Sequence, residues 1–252
     1  GRRAVVCDLV DHHGTLIQTA PRTVLRRVVD RLAAHGYAAE VGVEIEFHLL
    51  DEDGRPADEG LHAYSLERAN ALDPALGEIL RGLRGFVDLE GGNSEYAPGQ
   101  AEVNLRHAPA LVAADQAQRF KYATKELSRR AGRQVTFMAK PFAGDSGNSM
   151  HVHVSLWRDG EPAFTPDEDG GENGLHLRAV AGLLDHLPGT VLYGAPTVNS
   201  YKRFEPLSFA PTRVNWGGDN RTVSIRSLLE SPEATRIEVR TGAADAQTHW
   251  AV

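Results

Sequence analysis

Four separate stretches of this chain alternate between apolar and ionisable residues, and that pattern restricts the fold more than any other feature. In V-G-V-E-I-E-F-H-L-L, Val41 to Leu50, successive strand side chains point to opposite faces. Val43, Ile45, Phe47 and Leu49 therefore share one face, and Glu44, Glu46 and His48 share the other. Ala101 to Arg106 sets Glu102, Asn104 and Arg106 against Val103 and Leu105. S-M-H-V-H-V-S-L-W groups His151, His153 and Ser155, and T-R-I-E-V-R groups Arg236, Glu238 and Arg240. On one strand, Glu44 and Glu46 lie roughly 7 Å apart and repel by about 2 kcal/mol at an effective dielectric near 20. Either that face is wet or something positive lies on it. An ordinary solvent-facing antiparallel sheet alternates in the same way. Such a face usually carries Thr, Lys, Ser and Gln, however, whereas Glu, His and Arg bind hard cations and phosphates.

Other segments give the frame. Ala4 to Leu9 reads as a short strand followed by a D-H-H-G turn. Pro21, the apolar series Val24, Leu25, Val28, Val29 and Leu32, and the terminator Gly36 predict an amphipathic helix. D-E-D-G-R-P is a turn, and D-P-A-L-G-E-I-L-R-G-L-R predicts a second helix weakened by its glycines. A long helix is expected from about Pro109 to Arg130, closed by Gly132, and another near Leu175 to Leu187 after the loop P-D-E-D-G-G-E-N-G. The remainder reads as strand and loop. No repeat or low-complexity linker divides the 252 residues, so one domain is the simpler count.

Composition narrows the function class. The chain is 41% hydrophobic and 24% charged, which is globular usage. Its apolar runs are too short to span a bilayer, so no membrane association is expected. A net charge of −7 without a basic block argues against nucleic acid, while clustered arginines keep phosphorylated small molecules in view. The single Cys7 excludes an internal disulfide and is compatible with a cytoplasmic location. E-Y-A-P-G-Q-A-E places Glu95 and Glu102 at the two ends of a Pro-Gly turn, where both carboxylates can converge. N-S-Y-K-R and N-R-T-V-S-I-R add Arg203, Arg221 and Arg226. These are carboxylates that want a metal and guanidinium groups that want an anion.

With G-V-E-I-E-F, E-Y-A-P-G-Q-A-E, T-F-M-A-K-P-F, S-M-H-V-H-V-S-L, A-P-T-V-N-S-Y-K-R, W-G-G-D-N-R and R-I-E-V-R in this order, the chain resembles the catalytic domain of the glutamine synthetase family. The resemblance covers nearly all of residues 1–252, with an N-terminal β-grasp domain and a C-terminal portion of the family lying outside them. It implies an α+β fold, a curved and mainly antiparallel sheet with helices packed outside. It also implies ATP as co-substrate and at least two Mg²⁺ or Mn²⁺ sites. Glu46, Glu95 and Glu102 match the ligands of one cation, and Glu44, His151 and Glu238 those of the second. His153, Ser155 and Arg226 match nucleotide-binding positions. Arg203 and Arg221, which carry the catalytic expectation, together with Arg240 and Gly147, match the surroundings of glutamate and its phosphorylated carboxylate. Arg221 and Arg226 differ in strand parity, so one of them belongs to a loop.

One departure bears on the second substrate. In Y-K-R-F-E-P-L-S-F-A-P, Phe209 stands where ammonia-using members carry a glutamate. An aromatic ring accepts no proton but stacks on a cation, so the acceptor is expected to be a larger amine, such as a polyamine or ethanolamine. Glu205 is the alternative base or a surface carboxylate. The implied activity is an ATP-dependent glutamate–amine ligase working through γ-glutamyl phosphate. Glutamine synthetase itself and a non-catalytic relative are the alternatives. The resemblance further implies a homo-oligomer of hexameric rings, stacked in some members as a dodecamer.

Overall fold

The alternating segments pair with one another. The computed structural model of the chain describes residues 4–60, 63–73 and 75–252, and among them nine strands form one sheet. Its central strand is β1 (Ala38–Leu50), flanked by β3 (Gln100–Pro109) and β5 (Met150–Arg158). Beyond β3 lies β2 (Leu89–Ser94). Beyond β5 the order runs through β9 (Arg236–Val239) and β8 (Ile225–Leu228) to β7 (Trp216–Gly218). Two short strands join at the margins: β4 (Gln134–Thr136) pairs with the end of β1, and β6 (Glu161–Pro162) with β5. Every pairing is antiparallel except β7 with β8, which is parallel.

One face of this sheet is the core. Val43, Ile45, Phe47 and Leu49 are buried, joined from neighbouring strands by Ala101, Val103, Met150 and Val152. Helix α4 (Ala110–Arg130) covers them with Ala113, Ala117 and Phe120, and α3 (Ala75–Leu83) contributes Leu76, Ile79 and Leu83. Phe47, Phe120 and Phe137 meet at ring separations of 5.6 to 6.1 Å, inside the range of favourable aromatic contact. A second cluster, Phe164, Val180, Leu187, Ile225 and Ile237, lies under α5 (Gly174–Gly194).

Local chemistry explains most helix ends. Pro21 opens α1 (Pro21–Ala34), where its missing N–H costs nothing. The Asn173 side chain accepts hydrogen bonds from the amides of Leu175 and His176 at the start of α5. This helix runs on to Gly194, past the expected end at Leu187, with Pro188 inside it. Burial of Val180 and Leu187 against the sheet outweighs the local cost of the proline. Three short helices escape the sequence pattern: α2 (Leu66–Leu72), α6 (Val198–Tyr201) and α7 (Thr248–Ala251). Each is a turn or two stabilised by a cap, as at α6, where Thr197 and Ser200 form a reciprocal capping box.

The strand expected over Ala4 to Leu9 does not form. The segment carries no regular structure, with Val5 and Leu9 exposed, and it is tied down by charge. Asp8 pairs with Arg22 at 2.5 Å and Arg26 at 2.7 Å, both on α1. The D-H-H-G turn forms as expected, with the Asp11 carboxylate accepting from the amides of His13 and Thr15. Of the second predicted helix, Pro74 lies outside the described residues, and α3 follows it.

Candidate active site

The opposite face of the sheet collects the ionisable groups, and strand register sets their order. Glu46 stands directly opposite Glu102, and Glu44 is flanked by Asn104 of β3 and His151 of β5. His153 pairs with Glu238, which in turn faces Arg226. Glu95 arrives from the β2–β3 turn, where its amide donates to the Gln100 carbonyl at 2.8 Å. That turn passes so close to β1 that a Cβ on Gly99 would lie 2.6 Å from the Leu49 carbonyl oxygen, and its φ is +70°. Only glycine fits there. The six residues that the resemblance offers as metal ligands, Glu44, Glu46, Glu95, Glu102, His151 and Glu238, all line one cavity of about 440 Å³.

This cavity holds more negative charge than the surrounding cations balance. Burial, reinforced by the charge of Glu46, pushes the Glu95 carboxyl up to about 7. Burial and the charges of Glu44, Glu46 and Glu95 hold Glu102 well above the usual carboxylate range. Glu44 goes the other way: burial opposes its ionisation, but hydrogen bonds from His151 and His153 dominate and keep it ionised. At Glu238, burial is likewise outweighed by the charges of His151, Arg240 and His153. Nδ1 of His151 lies 3.1 Å from Glu44 and 3.4 Å from Glu238, and Nε2 of His153 lies 2.9 Å from Glu44. Carboxylate oxygens with imidazole and no thiolate form a donor set suited to hard divalent ions.

The ligand atoms group differently from the family-based division. Two sets of three lie within 4.8 Å of one another: Glu44, His153 and Glu238, and Glu44, Glu102 and His151. Glu44 belongs to both, and Glu46 and Glu95 to neither. Protein donors already occupy those two. Glu46 Oε2 accepts from the Ser149 amide at 2.7 Å and from Gln100 Nε2 at 3.1 Å, while Glu95 Oε1 accepts from Asn93 Nδ2 at 2.8 Å. His48, third on the polar face of β1, is closed off from the cavity. It is fully buried, its Nδ1 lies 2.8 Å from Asn148 Oδ1, and its ring packs on Phe142.

Cations rim the same cavity. Arg203, just after α6, is 3% exposed, and burial draws its guanidinium down to about 10, so it remains charged at neutral pH. Gly147 passes against it: a Cβ there would lie 2.3 Å from the Ala139 carbonyl oxygen and 2.6 Å from Arg203 Cγ. Arg240 pairs with Glu238, as does Arg226 at 2.9 Å. Arg226 belongs to β8 and Arg221 to the loop before it, as their parity requires, with Arg221 Nη1 3.5 Å from the Tyr64 hydroxyl. His153 and Ser155 line an adjoining cavity of about 510 Å³ that shares Glu44 and Asn104 with the first. Ser155 Oγ accepts from Trp157 Nε1 at 3.0 Å, and His153 Nδ1 accepts from Arg236 Nε at 3.3 Å.

Phe209 also lines the first cavity, stacked at 4.5 Å on Tyr96. Glu205 does not line it; its carboxylate pairs with the buried Lys140 ammonium at 2.8 Å. Sequence reasoning passed over Gln100, Asn93, Tyr64 and Tyr96. Gln100 shares strand parity with Glu102, so its inward direction was readable; the other three depend on how turns fold back over the sheet.

This geometry coincides with a known domain. Residues 18–252 match the model of the glutamine synthetase catalytic domain. The chain belongs to the glutamine synthetase family. Among its curated relatives, it is 38% identical to the gamma-glutamylethanolamide synthetase of Streptomyces coelicolor, over all of this chain and 56% of that protein. It is 34% identical to the glutamate–isopropylamine ligase of a Pseudomonas species, over 99% of this chain and 57% of that protein. The glutamine synthetase of Methanocaldococcus jannaschii is 37% identical over 94% of this chain and 54% of the relative. The chain thus spans about half the length of the curated relatives it matches. Among solved structures, GmaS in complex with ADP superposes with a TM-score of 0.84 at 31% identity, covering 94% of this chain and 57% of that one. The α+β architecture, mostly antiparallel with helices on the apolar face, is the fold of this family. Among the described residues no helix is long and apolar enough to cross a membrane.

Proposed function

We propose that the chain is the catalytic domain of an ATP-dependent ligase that joins the γ-carboxylate of glutamate to an amine. The observation that carries this reading is the convergence of five carboxylates, His151 and four arginines on one cavity, with Phe209 on its wall. The relatives named as a gamma-glutamylethanolamide synthetase and a glutamate–isopropylamine ligase support an amine acceptor.

In this reading Glu44, Glu46, Glu95, Glu102, His151 and Glu238 hold divalent cations of the Mg²⁺ or Mn²⁺ type. Bound there, such ions neutralise charge on the phosphate oxygens. The adjoining cavity with His153 and Ser155 takes the nucleotide, and Arg226, on the wall of the first cavity, faces its phosphates. Arg203, Arg221 and Arg240 hold the glutamate carboxylates and stabilise charge on the transferring phosphoryl group. Buried Arg203, for which Gly147 leaves room, is a pre-oriented donor of the kind that is worth most in a water-poor site. A γ-carboxylate oxygen attacks the terminal phosphorus of ATP and ADP leaves. The amine then attacks the acyl carbon, loses a proton, and inorganic phosphate departs with the former carboxylate oxygen.

Isotope transfer tests this sequence. With intact protein, ATP, an amine and glutamate carrying ¹⁸O in its γ-carboxylate, ¹⁸O should appear in inorganic phosphate in step with amide formation. Amide formation without label in phosphate would exclude the acyl phosphate route. Lack of ATP-dependent amide formation with every amine and with ammonium would instead favour a non-catalytic relative.

A further inference from the structure

The acceptor end of the cavity has a second aromatic residue, the tyrosine of E-Y-A-P-G-Q-A-E, to which the family resemblance above assigns no role. Tyr96, next to Glu95 in the β2–β3 turn, places its ring 4.5 Å from that of Phe209, the planes inclined by 39°. The two come from segments far apart in sequence, both are partly exposed, and both line the cavity of the carboxylate cluster. Phe209 is held there against backbone preference, at φ 62°. A non-glycine residue in that region persists only where its surroundings fix it. Ser208 supplies the restraint, its hydroxyl donating to the carbonyls of Arg203 at 2.9 Å and Glu205 at 2.6 Å.

The charges around this pair decide what it admits. A primary ammonium approaching the reacting carbon is favoured by the aromatic faces and by the carboxylates behind them. Ser208 and Ala210, on either side of Phe209, and Thr222 on the cavity wall offer small neutral surface. The remaining ionisable side chains that line the cavity, outside the carboxylate cluster and His151, are four arginines and the tyrosines Tyr64 and Tyr96. Glu205, the acid nearest in sequence, is turned away onto Lys140. A second ammonium reaching away from the carboxylate cluster would share the cavity with guanidinium groups and no further carboxylate.

We propose that Tyr96 and Phe209 together form the acceptor wall, selecting a primary monoamine with a short neutral tail over a diamine or polyamine. This rests on the ligase reading and adds an acceptor-binding role for Tyr96. The test is steady-state turnover of the intact protein, at saturating ATP and glutamate, with ethanolamine, isopropylamine, putrescine, spermine and ammonium. Ethanolamine or isopropylamine should exceed putrescine and spermine in kcat/KM by about tenfold or more. Tyr96→Ala should raise the amine KM by about tenfold, the scale of one lost cation–π contact, while the KM values for glutamate and ATP hold. Tyr96→Phe should retain wild-type values. Putrescine or spermine matching the monoamines overturns the proposal and leaves the ligase reading intact, as does an unchanged amine KM in Tyr96→Ala. Turnover with none of the five would overturn both.

Discussion

Replacing Glu95 with glutamine should stabilise the metal-free protein, by an amount that grows as pH rises from 4.5 to about 7. In the folded chain, burial and the neighbouring Glu46 raise this carboxyl from an ordinary 4.5 to about 7. Between those values the unfolded chain has released its proton and the folded one has not, so the folded state binds more protons and stability falls as pH rises. Below pH 4.5 both states are protonated and there is no penalty; above 7 the penalty is complete. At about 1.4 kcal/mol per pH unit, the cost grows from about 1 kcal/mol at pH 5.5 to about 3 kcal/mol at pH 8. Glu95→Gln abolishes it. For a chain of this size that corresponds to roughly 5–10 °C in Tm. Thermal unfolding by circular dichroism in excess EDTA, wild type against variant at pH 5.5 and pH 8, reads the difference. Saturating Mn²⁺ at pH 8 should reverse the order, because the wild type then gains a ligand that the variant lacks. Equal or lower Tm for the variant at pH 8 in EDTA would refute the crowded-carboxylate reasoning.

Two further substitutions probe the anion-binding side and one the acceptor wall. Gly147→Ala places a methyl group against Arg203 and the Ala139 carbonyl; it should cost about 1–3 kcal/mol in chemical denaturation and lower kcat by about tenfold or more through displacement of Arg203. Arg203→Met removes a buried donor and should lower kcat by about 10²–10³-fold in a coupled ADP-release assay, with the far-ultraviolet spectrum unchanged. Phe209→Glu should lower kcat/KM for ethanolamine by about tenfold and raise it for ammonium, measured in the same assay.

The sheet was legible because its strands are apolar on one side only. With apolar residues at every second position from Val43 to Leu49, a slip of one residue would bury Glu44 and Glu46 in the core, so the faces were fixed before any pairing was known. The same logic brought Glu102, His151 and Glu238 to the cavity. Arg106 shows its limit. The register of β1 with β3 shifts between Val41 and Val43, and Arg106, which shares parity with Glu102, is exposed and lies near Asp88 instead. His48 obeys parity but is sealed by Asn148 and Phe142, contacts made by residues about a hundred positions away. Ala4 to Leu9 carries strand propensity with no partner edge, and propensity alone does not make a strand. Tyr96 could not have been read from spacing, since its contact with Phe209 depends on two turns, one of them at positive φ.

The decisive observation is how many doubly charged ions the polar face of the sheet takes up. Calorimetric titration of Mn²⁺ into chelator-stripped intact protein, with a non-hydrolysable ATP analogue present, should give two ions per chain. Glu44→Gln, whose carboxylate belongs to both ligand groups, should weaken uptake at both. Uptake of no Mn²⁺, or a titration that Glu44→Gln leaves unaltered, would mean that these acids are gathered for some other reason.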